Sequence, residues 1–145
     1  MTRLSLVRFA LRAGAFFCFL MFLGGVLIVV DSPIVGEGSL LAPFVRWHPF
    51  HKGYELMIIV IYSVWGPYML QAAKNPSENR LFIDFTCFAN LAHFALMFVL
   101  GALDPHEHQH MFSDTGALGV CSIILLFGKG AISKEVASAS VNSQT

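Results

Sequence analysis

Three histidines alternate along the segment DPHEHQHMFSD in the last third of the chain. His106, His108 and His110 lie two residues apart, so their imidazoles would point to the same side of an extended segment. Imidazole and carboxylate groups are ligands for transition metals, and His48 and Asp114 could add to this set. The pattern predicts either a metal site, with zinc, copper or nickel as its cofactor, or a solvated loop rich in histidine.

A second group of polar residues lies in the segment WHPFHKGYELM. If a helix begins near Lys52, His51 and Glu55 lie one turn apart on it, with Tyr54 beside them. An imidazole and a carboxylate so placed could chelate a metal or relay a proton. In the structural alternative, Glu55 interacts with the positive end of the helix dipole, and the aromatic side chains lie at a membrane interface.

A third group follows a helical spacing within an apolar stretch. Thr86, Asn90, His93 and Met97 are separated by four, three and four residues, so they share one helix face. A polar stripe in lipid is costly and should face the interior of a helix bundle. An ionisable His93 near the middle of a membrane span is a functional candidate, although Asn90 and His93 could also bond neighbouring helices.

Common enzyme motifs are absent from the sequence. It contains no G-x-S-x-G, no glycine-rich phosphate loop and no H-E-x-x-H. Its three cysteines, Cys18, Cys87 and Cys121, are scattered in apolar runs, which is typical of small side chains packed between helices. The formal net charge is zero, which gives no basic signal for nucleic acid. We therefore expect a non-enzymatic protein with no nucleic-acid partner.

The composition indicates that membrane helices position these groups. Hydrophobic residues make up 56% of the 145 residues and charged residues only 12%, against about 25% charged in soluble domains. Three uncharged stretches approach the ~20 residues that a span requires, and a fourth is shorter. The predicted fold class is all-α, an integral membrane protein formed by an antiparallel four-helix transmembrane bundle. A single domain over residues 1–128 would have spans at about 11–30, 54–73, 82–103 and 112–128, followed by a disordered cytoplasmic tail over residues 129–145.

The basic residues predict an orientation. Seven of the nine fall on one side of this topology: Arg3, Arg8, Arg12, Lys74, Arg80, Lys129 and Lys134. The positive-inside rule then places both termini in the cytoplasm, in a cell inner membrane, with five of the six histidines outside. The first apolar run is longer than a signal peptide and lacks a small-x-small cleavage site, so we expect it to remain as the first span.

The run FHKGYELMIIVIYSVWGPYMLQAAKNP, followed by FIDFTCFANLAHFALM and an Asp-Pro-His loop, resembles a family of short four-span bacterial membrane proteins catalogued as a domain of unknown function. The resemblance covers roughly residues 48–127. Its matching positions are His51, Tyr54, Glu55, Pro76, His93 and Asp114. It implies a compact bundle in a bacterial inner membrane and implies no activity. The first span and the HEHQH triplet are expected to be particular to this chain.

Two functions remain open on the sequence. The first is an accessory or small-ligand-binding bundle with an outward-facing polar site formed by His51, Tyr54, Glu55, Asn90 and His93. The alternative is a transition-metal-handling or redox membrane protein that uses the outer histidines and carboxylates. The first is favoured because no complete metal-ligand set lies at helix spacing. The expected partners are the lipid bilayer and a second copy of the chain or a larger membrane complex, since four short helices bury little surface.

Overall fold

The structure is a computed structural model that describes residues 2–36, 38–42, 46, 50–104, 108 and 114–142, with the side chains of the last helix described for residues 116–132. Its helices are α1 (Arg3–Val29), α2 (Lys52–Lys74), α3 (Arg80–Leu103) and α4 (Asp114–Asn142), with a 3-10 turn at Pro33–Val35 between α1 and α2. No strand occurs in the described part of the chain. The all-α prediction is therefore confirmed.

Three of these helices fit a membrane bundle. Among the described residues, α1, α2 and α3 are long and apolar enough to cross a membrane, whereas the apolar part of α4, Gly116–Ile132, is shorter. The 23 residues of α2 extend over roughly 35 Å, which exceeds the ~30 Å hydrocarbon core of a bilayer. Many large apolar side chains point outward, as expected where lipid is the solvent. The fourth span remains a prediction.

The helices pack antiparallel to their neighbours. Along the α1–α2 contact, Gly14 faces Met69 and Gly25 faces Ile59. Residue numbers therefore decrease along α2 in the direction in which they increase along α1. Gly66 allows a close approach of the two helices, because a Cβ atom there would lie 3.0 Å from the Cβ of Cys18. Helices α3 and α4 are also antiparallel, as are α1 and α4. Helices α2 and α3 contact each other mainly through long side chains.

The two ends of the bundle are named here by their connections. The turn end holds the start of α1 and the short α2–α3 turn over residues 75–79, and the loop end holds the α1–α2 connection. At the loop end, the Lys52 Nζ donates to the Asp31 carboxylate at 2.7 Å and to the Val29 carbonyl at 3.4 Å. Lys52, the first residue of α2, therefore ties the beginning of that helix to the end of α1.

Helix α4 continues through residues 129–142, part of the segment that the sequence predicted as a disordered tail. Two contacts hold the part of this segment whose side chains the structure describes. Ile132 is buried in the main core cluster, and the Lys129 Nζ lies 3.0 Å from the Asp84 carboxylate. Packing and a partner for the charge therefore account for the helix over residues 129–132.

Candidate functional site

Side chains with polar tips join α2 to α3 in the middle of the bundle. The Trp65 Nε1 donates to the Thr86 Oγ1 at 2.9 Å, and the Tyr62 hydroxyl donates to the Asn90 Oδ1 at 3.5 Å. Tyr62, Thr86 and Asn90 are buried. Polar groups at this depth are costly unless they are hydrogen-bonded, so this contact is unlike the apolar packing elsewhere in the bundle. We call Tyr62, Trp65, Thr86, Asn90 and His93 the polar seam.

Flat rings line the polar seam. Tyr62 and Trp65 stack with centroids 5.6 Å apart and planes 12° apart, and Trp65 stacks on Phe85 at 5.4 Å and 20°. The His93 ring meets Tyr62 edge-on, with centroids 6.2 Å apart and planes at 79°. The offset and edge-on arrangements are those that aromatic rings favour. The seam therefore presents ring faces on α2 and polar tips on α3.

Helix periodicity places these side chains together. Tyr62 and Trp65 are three residues apart on α2, and Thr86, Asn90 and His93 follow the four-and-three spacing on α3. Thr86 and Asn90 are buried and His93 is half-buried, so the α3 stripe faces inward as its spacing predicted.

The seam opens towards the loop end. On α3, no residue between Asn90 and Gly101 is buried. Opposite this stretch, Glu55 is 8% exposed and occupies the same face of α2 as Tyr62, two turns away. The antiparallel register places His93 between the levels of Glu55 and Tyr62. Of the predicted site residues, Asn90 and His93 therefore belong to the polar seam, with Asn90 the deeper of the two, and Glu55 lies beyond its loop end.

His51 and Tyr54 do not join the seam. His51 is the N-cap of α2, where its Nδ1 accepts a hydrogen bond from the Tyr54 N–H at 3.4 Å. The two rings contact each other with centroids 4.4 Å apart, and Tyr54 is 64% exposed. The helix begins at Lys52, as predicted, but these two side chains lie on its outer surface. Their position suits an aromatic group at a membrane interface.

The predicted metal ligands lie largely outside the described residues. His48, His106 and His110 are in this category, while His108 is exposed and Asp114 is the first residue of α4. Within the ranges that the structure describes, no three histidine, cysteine or acidic side chains are grouped as a metal site would require. The transition-metal site stays a prediction.

Sequence reasoning missed two members of the seam, Tyr62 and Trp65. Both lie inside an uncharged span and looked like ordinary membrane aromatics. The available signal was their three-residue spacing together with hydrogen-bonding tips, which matches the polar stripe on α3. Buried tyrosine and tryptophan usually find a polar partner.

It also missed the ion pair between Asp84 and Lys129 near the turn end. The Lys129 Nζ lies 3.0 Å from the carboxylate and 4.5 Å from the centroid of the Phe88 ring. Both charged side chains are half-buried. This pair joins α3 to α4 and lies apart from the polar seam.

The polar seam can supply hydrogen-bond donors beside aromatic rings. Asn90 is 3% exposed, and its Nδ2 amino group donates to none of the described residues. The five seam residues include no carboxylate and no lysine or arginine. The arrangement therefore suits an uncharged group that accepts hydrogen bonds.

A family model matches residues 16–135 of the chain and is described as a family of unknown function, DUF6632. The match covers the whole polar seam. It begins within α1, so the expectation that the first span is particular to this chain is wrong. A search of the curated proteins and a search of the solved structures found no significant match.

Proposed function

The chain belongs to DUF6632, a family of unknown function, and we propose that it is a non-enzymatic multi-pass membrane protein that binds a small ligand in the polar seam. The observation that carries this proposal is the amide of Asn90. It is buried in the middle of a membrane-type helix, and its amino group donates to no described residue. A ligand with an acceptor atom would use these donors.

The cost of such an amide supports a binding role. Polar groups within membrane spans are costly and are often functional. The bond from Tyr62 to Asn90 is 3.5 Å long, beyond the roughly 2.5–3.0 Å usual for O–H···O bonds. Helix-to-helix bonding alone therefore accounts poorly for an asparagine at this position.

The charges support an orientation in which the seam opens outward and both termini lie in the cytoplasm of a bacterial cell. Arg3, Arg8 and Arg12 begin α1, and Lys74 and Arg80 flank the α2–α3 turn, so the turn end is basic. At the loop end, Lys52 is neutralised by Asp31. The positive-inside rule places the turn end in the cytoplasm.

Reporter fusions test this orientation. A phosphatase that is active only outside the cytoplasm should be inactive when fused after residue 145. A fluorescent protein that folds only in the cytoplasm should be bright at the same position. The opposite pair of results would contradict a cytoplasmic C-terminus and with it the proposed arrangement of both termini.

The ligand-binding proposal is tested by native mass spectrometry on protein extracted in mild detergent. The comparison uses the wild-type chain, Asn90→Leu and a control, Ser122→Ala. Ser122 is also buried and polar, but its hydroxyl donates to the Leu118 carbonyl of its own helix at 2.8 Å, away from the seam. We expect the wild-type and control proteins to retain a small molecule that Asn90→Leu loses. If all three carry the same small molecules, or none, the seam is not the binding site.

A further inference from the structure

We propose that the ligand of the polar seam is a lipid-soluble molecule with a flat ring that carries carbonyl oxygens, as in a quinone headgroup with an apolar tail. This inference rests on the proposed function, since it names the chemical class of ligand for the same site. It follows from the hydrogen-bond donors, the rings and the surroundings of the seam taken together.

The donors select a ligand with acceptor atoms. The Asn90 amino group has two N–H donors, and neither is used by the described residues. The Trp65 N–H already donates to Thr86 at 2.9 Å, so this bond fixes the indole in place and leaves the amide to meet the ligand. A carbonyl oxygen is the simplest uncharged group that accepts such a bond.

The rings select a flat ligand. Tyr62, Trp65 and Phe85 are nearly parallel, with successive planes 12° and 20° apart. A planar headgroup can stack on such a surface, and aromatic contacts of this kind add to the area that is buried. The His93 ring already meets the Tyr62 ring edge-on, with an angle of 79° between their planes. From α3 it would contact the ring of the ligand in the same way.

The surroundings select an uncharged headgroup with an apolar tail. The five seam residues include no lysine or arginine to balance a phosphate, and the Glu55 carboxylate, which could balance an ammonium group, lies two turns from Tyr62 on α2. A charged headgroup at this depth would be costly. Beyond the seam, Leu96, Phe98 and Val99 expose apolar side chains along α3, so a tail can leave the site into the hydrocarbon.

The fluorescence of Trp65 provides a direct test. The chain has two tryptophans, so Trp47→Phe leaves Trp65 as the only one. Decylubiquinone, a benzoquinone with a short tail, should quench this emission saturably in detergent. Decylbenzene, which has a similar tail and no carbonyl groups, should not.

Three variants in the Trp47→Phe background locate the binding. Asn90→Leu should weaken the apparent affinity for decylubiquinone roughly tenfold, as expected for one lost hydrogen bond. Tyr62→Phe keeps the ring and removes the hydroxyl that contacts the amide, and it should weaken binding severalfold even if Asn90→Leu folds poorly. Ser122→Ala should bind as the parent does.

The outcomes separate this inference from the proposed function. Equal quenching in Asn90→Leu and its parent, or saturable quenching by decylbenzene, would overturn the quinone-type assignment. If decylubiquinone does not bind but mass spectrometry finds another molecule that Asn90→Leu releases, the inference fails and the seam remains a binding site. If neither experiment detects a ligand, both proposals fail.

Discussion

The two halves of the bundle, on either side of Asn90, are built differently. Towards the turn end, small and aliphatic side chains such as Ala72, Ala73 and Ile83 are buried, and Asp84 pairs with Lys129. Towards the loop end, no residue of α3 between Asn90 and Gly101 is buried, and His93 in this stretch is half-buried. The same helices therefore provide a tightly packed half towards the turn end and a less buried half towards the loop end.

Side-chain size accounts for the difference. Glycine and alanine let α1 and α2 approach closely, which is a common way to associate helices in lipid. Between α2 and α3, aromatic rings fill the contact and hold the two backbones farther apart. Substitutions in the packed half should reduce stability more than substitutions in the seam.

The largest loss of stability is expected for Gly66→Leu. A Cβ atom at this position would lie 3.0 Å from the Cβ of Cys18 and 3.5 Å from the Ala15 carbonyl oxygen, so the helices must separate at a cost of about 3 kcal/mol. Thermal unfolding in detergent measures the effect. Gly130→Leu is the matched control, because nothing lies within 4 Å of its Cβ position. Equal melting temperatures for the two variants would contradict close packing of α1 against α2.

A smaller effect is expected when one member of the ion pair is removed. Asp84→Leu or Lys129→Leu leaves a half-buried charge near the end of a span, which should cost about 1–2 kcal/mol after allowance for partial exposure. The double variant removes both charges and should recover most of the loss. Chemical or thermal unfolding of the four proteins gives the coupling. Additive losses would show that the two residues do not act as a pair.

Thr86→Val probes the seam itself with a side chain of similar shape. It removes the acceptor of the Trp65 N–H, and hydrogen bonds between membrane helices contribute on average about 0.6 kcal/mol. The melting temperature should therefore fall slightly. A loss as large as that of Gly66→Leu would mean that the seam, like the packed half, mainly stabilises the fold.

The smallest effect on stability is expected for the combined change of His106, His108 and His110 to alanine. Because the favoured site is the seam, the melting temperature and the metal content of the purified protein should not change. Elemental analysis for zinc, copper and nickel checks this. A stoichiometric metal that the triple variant loses would instead support the metal-handling hypothesis.

The sequence predicted the parts of the fold that depend on local pattern. Uncharged runs located the helices, and the spacing of Thr86, Asn90 and His93 identified the inward face of α3. Partners far apart along the chain were not visible, so Tyr62 and Trp65 were not recognised as members of the seam and Lys129 looked like the end of the last span. For His51 and Tyr54, the spacing relates them to each other but does not tell which way α2 is rotated in the bundle.

The pairing of Lys129 with Asp84 has a consequence for how the protein is assembled. Among the described helices, α4 has the shortest apolar stretch, and that stretch contains the lysine. A lone lysine in a span opposes insertion. Asp84 precedes Lys129 in the chain, so α3 is made first and can present the carboxylate when α4 arrives. If α4 crosses the membrane as predicted, it would therefore depend on an earlier helix for its place there, and the order of synthesis would be part of what the sequence encodes.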